Sequence, residues 1–428
     1  MPASHPAPRS NYPWFITGVL FFCAALNYAD RTAVSSVFPL LQHDFGMSDV
    51  ALAAIGSFFL WSYASASPVA GLLADRFSRS RLVVCSLLLW SLVTAATAFA
   101  PSANWLLFAR VLLGLSECLY LPAAIALIAD YHLGATRATA MAVHLAGLNA
   151  GMIAGGSLGG YLGEHYGWRV MFLVLGGTGL LFAGVCSLVL RDRAESELVR
   201  AEPLMRIGVV ESLRAILTVP TYLIVIGQAM LVSVGTWIFA NWLPLYFSET
   251  FHMSLAGAGF SGTFTIQAAG VIGTLFGGYV SDRAARRRIG RRMLVQCFCL
   301  FAAAPFLLSF IWSRSFLWIS LSVFLYQLFI TMAAANEHPI ICDVLDARLR
   351  STSIGCMNTV NCLAGGAGIL FAGYFKHDLG LGAIFGYASG IVLLAALLVL
   401  AGYVFFLNRD LSRPSGSLSN PAGVPVTT

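Results

Sequence analysis

Apolar stretches of about 20 residues, each enough to cross a hydrocarbon core of about 30 Å as a helix, follow one another along nearly the whole chain. Twelve are read, at roughly 14–38, 50–73, 82–100, 104–130, 138–163, 168–190, 221–247, 256–280, 293–312, 316–341, 353–375 and 382–407. Lipid offers a backbone no hydrogen-bonding partner, so a segment at membrane depth must satisfy its own amides and carbonyls, and a helix does so. The residue alternation of β-barrel strands is absent. A soluble alternative fails on composition: 58% of the 428 residues are hydrophobic, 10% are charged, and mean hydropathy is +0.80. Too few charged residues remain to coat a water-facing surface. The expected fold class is an all-α membrane protein with twelve transmembrane helices.

Charge orients these helices. With both termini cytoplasmic, twenty of the 25 basic residues fall in inside loops or tails, the exceptions being Arg31, Arg110, Arg169, Arg314 and Lys376. That is a positive-inside pattern, so the net charge of +6 follows from topology and calls for no nucleic-acid partner. The opening MPASHPAPRSNYPW lacks the features of a secretory signal, and the first helix is expected to stay as an anchor. The nine cysteines show no disulfide or zinc spacing and read as small packing residues. No metal site, cofactor motif, nucleophile triad or phosphate loop is present in the sequence, which excludes the usual enzyme classes.

The chain also repeats itself. Gly71 opens GLLADRFSRSR and Gly278 opens GYVSDRAARRR, 207 positions later. Asp130 and Arg137 are matched by Asp343 and Arg350, Gly160-Tyr161 by Gly373-Tyr374, and Phe172 by Phe385. The organisation expected is an N-terminal segment 1–13, a six-helix half 14–190, a charged linker 191–219, a second half 220–408 and a disordered tail 409–428. Two six-helix halves with this doubled motif resemble the major facilitator superfamily over residues 14–408. The resemblance implies that Gly71, Asp75, Arg76, Arg79, Gly278, Asp282 and Arg283 form a conformational latch on the cytoplasmic face. The first copy departs from the common pattern at Ser78.

Ionisable residues within a membrane helix are costly and usually functional. The first half holds four: Asp30 and Arg31 in helix 1, and Arg110 and Glu117 in helix 4. Arg110 and Glu117 are two helical turns apart on one face, and the four charges sum to zero if helices 1 and 4 adjoin. The repeat places Val323 and Ile330 opposite the helix 4 charges, and the second half offers neutral groups instead: Gln228, Trp237, Asn241, Gln267, Tyr326, Gln327, Asn358 and Asn361. Glu117 sits among Leu115, Ser116, Cys118 and Leu119 and is the expected proton carrier, while Asp30 beside Arg31 is expected to stay ionised longer. A substrate carboxylate competing for Arg31 would then release an acid to take a proton, which is symport by linkage.

NYADRT with Pro39 beyond it, GSFFLWSY, RVLLGLSECLYLPAA and the GWR of 167–169 resemble the anion:cation symporter family, which includes galactonate, hexuronate and phthalate-type permeases. The resemblance implies proton uptake at Asp30 and Glu117, carboxylate binding at Arg31, an organising role for Arg110, and pocket tyrosines at Tyr28 and Tyr63. Asn149, Asn358 and Asn361 join them as candidate substrate contacts. The usual proline of helix 5 is missing from GMIAGGSLGGYL, and helix 5 carries His144. The chain is therefore expected to be a proton-coupled symporter of a small organic anion, monomeric, multi-pass in a bacterial inner membrane, with the bilayer, protons and solute as its partners. Rival readings are a spinster-type lysolipid carrier, a multidrug exporter and a transporter-derived sensor. Blander roles compete for single residues: Arg110 and Glu117 as a structural pair, the aromatics as packing groups, His144 as a helix–helix hydrogen-bonding group, and Asn336-Glu337-His338-Pro339 as a gate or cap.

Overall fold

The computed structural model describes residues 11–132, 136–192, 209–346 and 349–412. Residues 1–10, linker residues 193–208 and the tail from 413 onward lie outside the described residues. Within them the chain is helical, with no strands. Eleven helices are long and apolar enough to cross a membrane. They are α1 (Tyr12–Ser36), α2 (Asp49–Ala74), α3 (Arg79–Thr97), α4 (Ala103–Tyr131), α5 (Arg137–Tyr166), α6 (Trp168–Val189), α7 (Pro220–Phe251), α8 (Leu255–Ala285), α9 (Arg291–Trp312), α10 (Phe316–Val344) and a last helix, Thr352–Phe405. At 54 residues the last is far longer than one crossing needs. Gly380 divides it, with φ 76° and ψ 153°, a backbone state open to glycine and poorly tolerated by L side chains. The two parts, α11 (350–379) and α12 (381–405), bring the number of crossings to the twelve read from hydropathy.

Serine side chains start five of the crossings. Ser48, Ser78, Ser102, Ser254 and Ser315 each accept a hydrogen bond from the amide three residues on, satisfying a donor the helix leaves open. The odd-numbered crossings therefore run from the end that bears the linker to the distal end, and the even-numbered ones return. In the first half α1 packs on α5, α3 on α6 and α2 on α4; in the second α7 packs on α11, α8 on α10 and α9 on α12.

The halves meet along α2 with α11 and α5 with α8. Glycines let the second pair approach: Gly155 and Gly159 face Ala29 and Ala33 of α1, whereas Gly156 and Gly160 face Gly259 and Leu255 of α8. Polar contacts between halves run from the distal end to mid-depth. Lys376 Nζ reaches Asp49 at 2.8 Å, Ser57 donates to Gly366 O at 2.7 Å, and Trp61 donates to Leu363 O at 3.0 Å. Toward the linker end no hydrogen bond or ion pair joins the halves among the described residues. A Cβ built on Gly71 or Gly278 would meet nothing within 4 Å. Of the motif charges, Arg79 pairs with Asp130 and Asp282 with Arg292 inside their own halves, while Arg76 and Arg283 are exposed; the Asp75 side chain lies outside the described ones. The molecule is thus closed distally and open at the linker end.

Candidate functional site

Charged side chains from α1 and α4 meet at mid-depth in the first half. Helix α1 supplies Asn27, Tyr28, Asp30 and Arg31, and α4 supplies Arg110 and Glu117 (Glu117 fully buried, Asp30 4% and Arg110 3% exposed). Arg31 Nε donates to Glu117 Oε2 at 2.7 Å and Arg31 Nη2 to Asn27 Oδ1 at 3.1 Å. Asn27 stands one turn before Arg31 and so shares its helix face. The Arg31 guanidinium lies 4.4 Å from the Tyr28 ring centroid, 5.0 Å from Phe59 and 4.8 Å from Tyr63. Three rings thus hold the cation in place while the carboxylate neutralises it.

Asp30 belongs to a different face. Thr94 Oγ1 of α3 donates to its Oδ2 at 3.1 Å. Arg110 feels the charges of both Asp30 and Glu117, and its guanidinium lies 5.4 Å from the Phe172 ring on α6. The sequence sets Asp30 next to Arg31 and leaves Glu117 among apolar neighbours, yet Arg31 bonds to Glu117. Neighbours on a helix diverge by about 100°, so adjacency in sequence separates the two side chains, whereas facing helices bring residue 31 to residue 117.

A cavity between the halves begins at this cluster. Arg31, Arg110 and Phe59 line one wall, and Trp237, Asn241 and Gln267 line the other. Gln267 also reaches across to Met152 Sδ at 2.7 Å. Of the other candidates, Tyr28 and Tyr63 flank Arg31, but Asn149 returns its amide to Leu145 O of its own helix at 3.2 Å. Asn358 is exposed on α11, and the Asn361 carbonyl accepts Ser233 Oγ at 2.7 Å. Among the described residues none of these three asparagines lines the cavity. Gln228 faces the interior of the second half, and His144 meets the Leu20 carbonyl at 3.3 Å inside the first. Asn27 and Thr94 escape a reading by charge. The first is detectable as the residue four before Arg31; the second has no signal in its own sequence neighbourhood.

Buried charges around a two-walled cavity, between two six-helix bundles open at one end, fit a multi-pass transport protein. Residues 20–369 match the family model described as Major Facilitator Superfamily, and the chain belongs to that family. It is similar to the probable galactarate/D-glucarate transporter of Bacillus subtilis, 27% identical over 299 residues, covering 64% of this chain and 66% of that relative, just under two thirds of its length. The hexuronate transporter of the same organism is 24% identical over 412 residues, covering 93% and 95% of the two chains. The crystal structure of a bacterial homolog to the human lysosomal transporter Spinster, inward-facing and unoccupied, matches the fold with a TM-score of 0.77. It is 19% identical, over 95% of this chain and 98% of that one.

Proposed function

We propose that this transporter carries a small organic carboxylate together with protons, by alternating access. The observation that carries the reading is Arg31, a cavity-lining cation whose guanidinium is already bonded to a buried carboxylate, Glu117. A substrate carboxylate entering the cavity competes for the same guanidinium donors, which match a carboxylate as a planar fork. Glu117, deprived of its cation and shut from water, then takes a proton. Solute and proton load together, and each raises the affinity for the other. Asp30 and Arg110 add two opposite charges that act on each other in the site, Tyr28 and Tyr63 orient the solute-binding arginine, and Trp237, Asn241 and Gln267 supply neutral contacts. Asn149, Asn358 and Asn361 meet the solute on its way to or from the linker end. The names of the two Bacillus subtilis relatives support the substrate class.

The linker end faces the cytoplasm in this reading, of a bacterial inner membrane, and the latch residues of α2 and α8 engage when the linker end closes. A second reading, a carrier of lysolipids or other amphiphiles, is favoured by the apolar part of the cavity wall, which includes Ile55, Ile266 and Ile369. Uptake into proteoliposomes separates them, with a panel of sugar acids and aromatic carboxylates under an inward proton gradient. The first reading expects one acid to accumulate with the gradient, and Arg31→Ala and Glu117→Gln each to abolish that accumulation. Movement of lysolipid or a cationic dye, with no acid moving, would overturn it in favour of an amphiphile carrier or drug exporter.

A further inference from the structure

The second half has its own buried carboxylate, and the proposed mechanism leaves it unused. Glu337 is 7% exposed near the linker end of α10. Gln228 Nε2 of α7 donates to its Oε1 at 3.3 Å, and Gln296 Nε2 of α9 donates to Gln228 Oε1 at 2.8 Å. Both glutamines are fully buried. The site mirrors the first half in outline. Glu117 is the last residue before an interruption of α4, and Glu337 the first after an interruption of α10. A residue of the half's first helix meets each acid: Arg31 of α1 in one case, Gln228 of α7 in the other. The difference is charge, since an arginine can hold an anion and an amide chain is neutral.

No charged side chain among the described residues acts on Glu337. The titratable groups on the helices around it are engaged elsewhere. Tyr222 of α7 donates to Ser353 O, and its neighbour Cys356 of α11 meets that tyrosine. Arg292 of α9 is held by Asp282 and Asp343, Arg350 by the Cys342 carbonyl, and Asp410 accepts from Thr221. His338 comes directly after Glu337 and diverges from it by about 100° on the helix. The polar cluster is also rich in acceptors: Gln296 Oε1 and Asn336 Oδ1 are buried and meet no donor among the described residues. A proton on Glu337 neutralises the acid and adds one donor. At the interruption the Asn336 amide bonds back only three residues, to Ala333 O, and its side chain binds Met332 O. Such a tightened turn marks a hinge in many helices.

We infer that Glu337 is a second proton-binding site, in the half whose buried carboxylate has an amide partner in place of an arginine, held as the neutral acid by burial away from any cation and exchanging its proton with water at the linker end as α10 bends at Asn336. As a coupling site it rests on the proton-coupled reading of the transporter; as a protonated group it stands alone. Infrared difference spectra of the purified full chain, wild type minus Glu337→Gln, read the group directly. The glutamine keeps an acceptor for Gln228. The expected result is a protonated-carboxyl band at neutral pH that fades as the pH is raised. Absence of that band at every pH where the protein stays folded overturns the proposal. In proteoliposomes, Glu337→Gln is expected to keep solute counterflow while its gradient-driven accumulation falls about tenfold per unit of pH gradient, one coupled proton being lost. Accumulation equal to wild type overturns the coupling role. A wild type with no gradient-driven uptake refutes the proposed symport instead, and the infrared band still decides whether Glu337 holds a proton.

Discussion

Lys376 of α11 is the fastening at the distal end, and its removal has a calculable effect on which way the molecule opens. Its Nζ lies 2.8 Å from Asp49 Oδ1 of α2, in the opposite half, and 2.9 Å from Glu249 Oε1 of α7, in its own. Glu249 positions the lysine and Asp49 receives it, so the bond to Asp49 exists only while the distal end is shut. The side chains of Lys376 and Asp49 are 11% and 19% exposed. An exposed pair contributes about 0.2–1 kcal/mol, and breaking a fully buried one costs about 3–5 kcal/mol. This bond lies between the two, at about 1–2 kcal/mol, which changes a two-state ratio by a factor of about 5–30. Lys376→Met is expected to move the equilibrium from distally closed to distally open by that factor, aided by repulsion between the two acids left behind. Spin labels at Val50→Cys and His377→Cys, both exposed positions flanking the pair, report the separation of the halves by their distance distribution. A longer-distance population should grow in Lys376→Met, and the difference from wild type should shrink at high salt. An unchanged distribution would refute the argument that this ion pair biases the conformational equilibrium.

Three further outcomes are expected from local geometry. Gly160→Ala sets a Cβ against the Leu255 backbone and 2.8 Å from the Ala256 amide, so the same spin-label pair should report distal opening while the fold persists. Gly380→Ala forces an L residue into φ 76°, a strain of about 1–3 kcal/mol, and should lower the thermal midpoint in detergent. Asp44, outside the membrane spans, is held below the usual carboxylate range by the Trp168 indole donating at 2.7 Å and by His43 beside it. A folded-state value below the unfolded one stabilises at higher pH and is lost as pH falls through the folded value. The melting-temperature gap between wild type and Asp44→Asn should therefore close below about pH 4; a gap that widens in acid would contradict it.

The candidate site was half legible in the sequence. Arg31, Arg110, Glu117 and Asp30 stand out because a charge inside an apolar stretch needs a reason, and helical spacing places Arg110 and Glu117 on one face. The neutral residues of the second half were not separable in this way. Trp237, Asn241 and Gln267 reach the cavity, while Gln228, equally polar and on the same helix as Trp237 and Asn241, turns inward to Glu337. An uncharged amide satisfies itself on a cavity wall or in a helix core, so its presence does not say which it faces.

By itself the sequence determined the helical class, the twelve crossings and the doubled half, because hydropathy and spacing are local properties that lipid reads directly. Even the division at Gly380 falls between two apolar stretches distinct in the sequence. Only the tertiary structure decided that Arg31 bonds to Glu117 across helices rather than to Asp30 beside it, that Gly156 and Gly160 serve the contact between halves, and that Lys376 closes the distal end. Those outcomes depend on which faces of separate helices meet. Helix faces at membrane depth are chosen by packing and charge pairing over the whole bundle, at separations of tens to hundreds of residues that no local pattern records.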